Sequence, residues 1–343
     1  MLARQSDKAR ERRVGLLIDE IRREGHDSDL REVIERKILP SDYELFQAVV
    51  KGRHHEHLIQ KYDAKELRRY IRESLKYEYI PSTRGHQQFR ILMGASAVHN
   101  TVERYWEKVI NNWQRDINDD AFNQYSRKTK DLVGMIIPFG SVKIQLPGKI
   151  NYRADCCYEI RSRLAGKQKP RKDSWPSLVV EVVWSHALTQ RKINHYILKS
   201  QGAIRTVVRI DLSKTRQKWE NIKENWEVGG NNRGPVQIHV WRAQRNRNGK
   251  LVVVESPAIQ VCKENGTVDE VSIPCISLRD FVSERDEDII KMNSKELRGL
   301  ENLVLELDTQ KFLEAIDVAL EKQKEEDEKA AVEEEGDDDH NDM

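Results

Sequence analysis

The sequence predicts an α/β fold, on three observations. Apolar, strand-like runs at Tyr152–Tyr158 (YRADCCY) and Ser177–Trp184 (SLVVEVVW) are followed by a helix-spaced segment, Ala187–Gln201, and by a further strand, Ile204–Leu212 (IRTVVRIDL). A strand, helix, strand unit of this kind runs its two strands parallel with a right-handed crossover. Each of the first two runs also carries one carboxylate, Asp155 or Glu181. Acidic residues are depleted in strands, and a buried one is costly unless paired or bound to a cation.

Taken in order, residues 5–80 read as helices, with Val14, Leu16, Leu17, Ile18 and Ile21 clustered and Leu30, Val33, Ile34 and Ile38 at helical spacing before Pro40. A strand (Phe89–Gly94) precedes a helix from about Val98, whose Val102, Trp106, Val109, Ile110 and Trp113 form one stripe. Gly134–Phe139 and Val142–Leu146 read as strands, and Pro147-Gly148 as a turn. Gly202 stops the Ala187–Gln201 helix as a left-handed cap. Strands follow at Val236–Trp241, Leu251–Glu255 and Ala258–Val261, then a helix from about Ser294 to Lys324. The expected divisions are a helical region over 1–76, an α/β domain with a strand extension over 77–285, a helix within 286–324 and a disordered acidic tail, 325–343.

At 343 residues the chain suits one large domain or two smaller ones, and its 34% charged content exceeds the usual quarter. The net charge of +2 hides a division: residues 325–343 hold eleven acidic residues and one lysine, a net of -10, which leaves +12 on residues 1–324. That excess suits a polyanionic partner, although charge spread over exposed helices accounts for it equally. The four cysteines include an adjacent pair, Cys156 and Cys157, but no C-x-x-C. In a strand that pair faces opposite ways and does not readily share a metal. Without a secretory apolar core in the first residues or a run of transmembrane length, the expectation is an intracellular protein, cytoplasmic or nuclear, with no membrane partner.

Two carboxylates on neighbouring strands suit Mg2+ or Mn2+, which take hard oxygen ligands and usually one or two carboxylates. Period two puts Arg153, Asp155 and Cys157 on one face, and Glu181 with Val179 and Val183. Around these residues the chain shows an ordered set of motifs. Tyr77-Glu78 comes first, then Met93 through Ser96 to His99 at a helix start, Ala154-Asp155, Leu178–Val183 (LVVEVV), Lys192 with Tyr196 four residues on, and Gly202 with the strand Ile204–Asp211. In that order they resemble the PD-(D/E)XK nuclease superfamily, specifically its Uma-two-type family of restriction endonucleases.

The resemblance implies a restriction-endonuclease-like core, a central mixed sheet flanked by helices, and hydrolysis of phosphodiester bonds in DNA. It implies that Asp155 and Glu181 hold the metal, with the backbone carbonyl of Val182 as a further ligand, and that Lys192 is the positive group at the phosphate. The superfamily's lysine usually stands two residues after the acidic strand residue; here Val183 stands there, and the lysine is displaced onto the helix, as in the resembled family. Glu78, His99, Glu103 and Tyr196 are auxiliary candidates. Nucleic acid is the expected partner, DNA ahead of RNA, and a homodimer remains open. An alternative follows from Trp184-Ser185-His186 in place of Ser-Pro-Ser and the short Glu181-to-Lys192 spacing of eleven residues: a degenerate nuclease fold that binds nucleic acid or protein without cleaving.

Simpler readings stand beside these. Asp155 is open to pairing with Arg153 or Arg161, Glu181 to bridging to Lys192, and His99 to a structural role. The basic run Lys167–Lys172 (KQKPRK), with Lys167, Lys169, Arg171 and Lys172, is a phosphate-backbone contact, an import signal or a solvated turn. His54, His55 and His57 lack further ligands at zinc spacing, and adjacent Ser185-His186 lacks a third catalytic member.

Overall fold

The computed structural model describes residues 2–26, 34–50, 56–59, 76–80, 87–92, 97–120, 124–148, 150–160, 175–184, 189–222, 233–268, 272–284, 286 and 292–338. The chain opens with α1 (Leu2–His26), β1 (Ile34–Ile38), α2 (Pro40–Val50), β2 (Lys76–Ile80) and β3 (Gln87–Leu92). Next come α3 (Ala97–Asp119), α4 (Arg127–Val133), β4 (Ile136–Pro138), β5 (Val142–Leu146), β6 (Ile150–Ala154) and β7 (Cys156–Ile160). The middle of the chain holds β8 (Leu178–Val183), α5 (Gln190–Asn194, continued by a π turn, His195–Lys199), β9 (Thr206–Asp211) and α6 (Ser213–Ile222). β10 (Val236–Arg245), β11 (Leu251–Glu255), β12 (Ile259–Cys262), β13 (Ser272–Ser277), α7 (Ser294–Gly299), β14 (Val304–Asp308) and α8 (Thr309–Asp338) complete it. This is an α/β architecture with a mixed central sheet flanked by helices.

Two compact units result: Met1–Ser96 with Pro147–Arg153 and Asp327–Met343, and Ala97–Leu146 with Ala154–Glu326. In the first, Val14, Leu17, Ile18 and Ile21 of α1 recur at helical spacing and are buried in one cluster with Tyr43, Phe46 and Val49 of α2. Arg13 donates from Nε and Nη2 to the two Asp42 oxygens, both at 2.8 Å, and Tyr43 stacks on Tyr79 with ring centroids 3.6 Å apart. Within this unit β1, β3, β2 and β6 are neighbours in that order.

Residues 5–80 are therefore not all helical, because β1 and β2 fall among them, and the expected boundary after residue 76 lies inside β2. β1 pairs antiparallel with β3 from Ile34↔Ile91 to Ile38↔Gln87. Pro40 disfavours helix at the residue before it, and the ladder to β3 overrides the helical spacing of the isoleucines.

The second unit is built on the order β11-β10-β9-β8-β7-β4, with β12 also beside β10. β8 and β9 are parallel, as the strand, helix, strand pattern requires, and the other pairings are antiparallel. One face carries the main core, where Val98, Val102, Trp106 and Ile110 of α3 cluster with Leu178, Val180 and Val182 of β8 and with Phe312, Leu313, Ile316 and Leu320 of α8. Ile193, Tyr196 and Ile197 of α5 are buried outside that cluster.

Three further differences concern the extents of elements. The run Tyr152–Tyr158 is not one strand: it breaks at Asp155, β6 pairing with β2 and β7 with β8 and β4. The segment from Ser294 to Lys324 is not one helix: α7 is followed by β14, which pairs antiparallel with β13, and only then by α8. α8 runs on to Asp338, so most of the expected disordered tail is helical. Glutamate is a good helix former, and a nucleated helix extends at little cost through such residues.

Candidate functional site

Strand alternation sets the site. On β8 the side chains of Val179, Glu181 and Val183 share one face, opposite Val180 and Val182, which enter the main core. Glu181 is 6% exposed and Asp155 7%. Burial this deep demands partners, and the two carboxylates draw them from opposite faces of the sheet.

On the Glu181 face stands α5. Thr189 caps it by accepting from the Lys192 N–H at 3.3 Å, and Lys192 and Tyr196, one turn apart, point back at the strand. The Lys192 ammonium lies 3.1 Å from Glu181 Oε2 and the Tyr196 hydroxyl donates to Oε1 at 2.6 Å. The Lys192 side chain is 11% exposed, and its nitrogen also lies 5.7 Å from the centre of the Tyr196 ring. Tyr196 belongs to the π turn, a local rewinding common where a helix must aim a side chain at a site. Gly202, at φ +81°, ends this segment in the left-handed conformation the sequence predicts.

Asp155 is held by the strand break itself. Its Oδ2 accepts from the Val182 N–H at 2.8 Å, two residues beyond the last β7–β8 pair, Cys156↔Val180. The carboxylate thus continues the ladder in place of backbone, which is why a charged residue interrupts an apolar run. From the core face, His99 in the first turn of α3 brings Nε2 to 3.0 Å from the same oxygen, while its Nδ1 lies 3.9 Å from Glu103 Oε2. Asp155 is therefore paired with His99, and Glu181 with Lys192.

A buried thiol feels the charge of both pairs. Cys157 faces the Glu181 side, through its pairing with Val179. Burial raises its thiol well above the ordinary range, the negative charges of Glu181, Asp155 and Glu103 raise it further, and Lys192 opposes them. All four groups thus act on one sulfur. Cys156, on the opposite face, is likewise raised, by burial first and then by Glu103 and Glu107.

Among the described residues, ligand-type atoms of Glu103, Glu107 and Cys156 lie within 4.8 Å of one another. Glu107 and Cys156 were not legible as neighbours: only the packing of α3 on β7 brings them together, and the i, i+4 repeat from Glu103 to Glu107 was the one available hint. Arg209 was missed also. It stands opposite Glu181 in the parallel β8–β9 register and pairs with Asp211. Val182 contributes its N–H to Asp155, a contact the sequence did not suggest beside its expected carbonyl role.

Other candidates lie elsewhere. Glu78 is on β2, in the first unit, and its side chain lies outside the described residues, as do Lys167, Lys169, Arg171, Lys172, Arg161, His54, His55, Ser185 and His186. His57 brings Nε2 to 3.4 Å from Glu11. Among the described residues no helix is long and apolar enough to cross a membrane. No family model matches the chain, and no curated protein does either.

Proposed function

We propose that the protein is a metal-dependent nuclease with a restriction-endonuclease-like core of the PD-(D/E)XK, Uma-two type, hydrolysing phosphodiester bonds in DNA. One observation carries the reading: Glu181, buried on a parallel strand, is held by Lys192 and Tyr196 from the following helix, while Asp155 is bonded to the next residue of that strand. The strand, helix, strand order from β8 through α5 to β9 is in keeping with the sequence resemblance.

The donor types suit a hard divalent cation, because Asp155 and Glu181 are both buried carboxylates and oxygen is the ligand such ions take. Asp155 and Glu181 would hold Mg2+ or Mn2+, with the Val182 carbonyl beside them. The ion, when bound, supplies polarisation of a phosphoryl oxygen and a lowered pKa for attacking water.

The remaining work falls to the chain's own groups. Lys192 carries a fixed, largely buried positive charge beside Glu181, placed to offset the negative charge that develops on the phosphate. Tyr196 fixes the Glu181 carboxylate through Oε1, and His99 and the Val182 N–H fix Asp155. Incubation with supercoiled and single-stranded DNA tests the reading: strand cleavage with Mg2+ or Mn2+, none in EDTA, and loss in Asp155→Ala are expected. An inert wild type under all these conditions would sink it.

A second reading, a nuclease fold that binds nucleic acid or protein without cleaving, has its own support. Both Glu181 oxygens and Asp155 Oδ2 are already partnered by the chain, as in a structural ion-pair network. DNA binding that is indifferent to Mg2+, with no cleavage, is the outcome that favours it.

A further inference from the structure

At the N-terminal end of β9, the end away from Asp211, the second unit contains a cavity of about 360 Å³. Three guanidinium groups line it: Arg205 immediately before β9, Arg242 on β10, and Arg279 in a short 3-10 turn, Leu278–Phe281. Two carboxylates, Asp280 and Glu301, face them, which leaves one positive charge in excess.

Asp280 is not offered to a ligand. It is 1% exposed, and it accepts from Arg242 Nε at 2.6 Å, Arg242 Nη2 at 2.8 Å, Thr206 Oγ1 at 3.0 Å and the Ser277 N–H at 2.8 Å. These bonds hold the Arg242 fork rigid. With the bond from Nη1 to Ser256 Oγ at 2.5 Å they take three of its five N–H donors and leave two. Ile276 and Val304 give the cavity an apolar wall.

We propose that this cavity binds a small phosphomonoester of nucleoside monophosphate size. Guanidinium forks match phosphate oxygens in charge and geometry, and a pre-oriented one loses little freedom on binding. The volume falls at the lower end of the ~300–1,000 Å³ usual for small-molecule sites, where polar groups fix orientation and apolar walls cover the organic part. None of its residues belongs to the Asp155–Glu181 site, so the proposal stands or falls separately from the nuclease reading.

Calorimetric titration of the full chain at low salt with inorganic phosphate and with adenosine 5′-monophosphate tests it. The monophosphate should bind more tightly than phosphate, Arg205→Gln should weaken it about tenfold or more, and Arg205→Lys, which keeps the charge but loses the fork, should fall between wild type and Arg205→Gln. Arg279→Gln, read in the same way, takes the place of Arg205→Gln should that variant not fold. Absence of binding in wild type, or equal binding in wild type and both glutamine variants, overturns the proposal. Equal affinity for phosphate and monophosphate overturns the monoester as the ligand.

Discussion

At Glu181 the two carboxylate oxygens have different partners, and the difference predicts different costs of losing them. Tyr196→Phe removes the 2.6 Å bond to Oε1 and leaves a buried acceptor short of a donor. A loss of about 1–3 kcal/mol is expected, read as a lower urea midpoint with an unchanged slope. No shift would mean that the bond contributes nothing. Asp280 offers a pH test: burial alone would raise its carboxyl, but the Arg242 hydrogen bonds and charge, the Ser277 N–H and the Thr206 hydroxyl outweigh it and hold it below the ordinary value. A carboxyl so depressed contributes stability that is complete above its unfolded pKa of about 3.9 and is lost as pH falls through the folded one. Asp280→Asn should therefore flatten the acid limb of the stability curve below about pH 4, and a limb identical to wild type would contradict this. Asp155 and Glu181 were legible because charge in an apolar run is a local signal, and Lys192 and Tyr196 because their spacing resembles a family motif. The Asp155–His99 pair, Glu107 and Arg209 were not, because register and helix packing bring them in from elsewhere.

At the scale of elements, the end of α5 and the start of β10 rest on two glycines. Gly202 has φ +81°, and a Cβ there would meet Leu251 Cδ1 at 3.3 Å; Gly202→Ala should cost about 1–2 kcal/mol. A Cβ on Gly234 would lie 2.7 Å from Lys214 O and from Thr215 Cα, backbone that cannot swing aside, and overpacking of this kind costs about 1–3 kcal/mol. Thermal or urea unfolding of the two variants should show both destabilised, and a wild-type midpoint for Gly234→Ala would refute the close approach. Gly202 was readable as a stop because its conformational role is local. The break at Asp155 was not, since YRADCCY has no Gly or Pro and the bend is fixed by a side-chain bond to Val182. β14 was missed for a different reason. Leu305 and Leu307 alternate with exposed or half-buried neighbours in the period of a strand, but they sit between two helix-spaced stretches that dominated the reading.

For the whole molecule, charge is the most general lever. Residues 1–324 carry +12 and residues 325–343 carry -10, so the tail is a tethered polyanion, and under the proposed function it should compete with nucleic acid for basic surface. Ending the chain at Lys324 keeps the buried Leu320 and Gln323. The truncated protein should bind a short DNA duplex more tightly at low salt, with the gain shrinking as salt rises; equal affinities would remove the tail from the account. The α/β class and the parallel β8–β9 pair followed from the alternation of strand and helix, whereas the division into two units depends on strands far apart in sequence. Under the proposed function, Asp155 and Glu181 hold a metal beside which Lys192 acts on phosphate. The most direct measurement is calorimetric Mn2+ titration of wild type, Asp155→Ala and Lys192→Ala, with DNA cleavage assayed on the same samples. Asp155→Ala should lose both the binding heat and cleavage, and Lys192→Ala should keep the heat while cleavage falls about 100-fold or more. A wild type that neither takes up the ion nor cuts DNA would contradict the account.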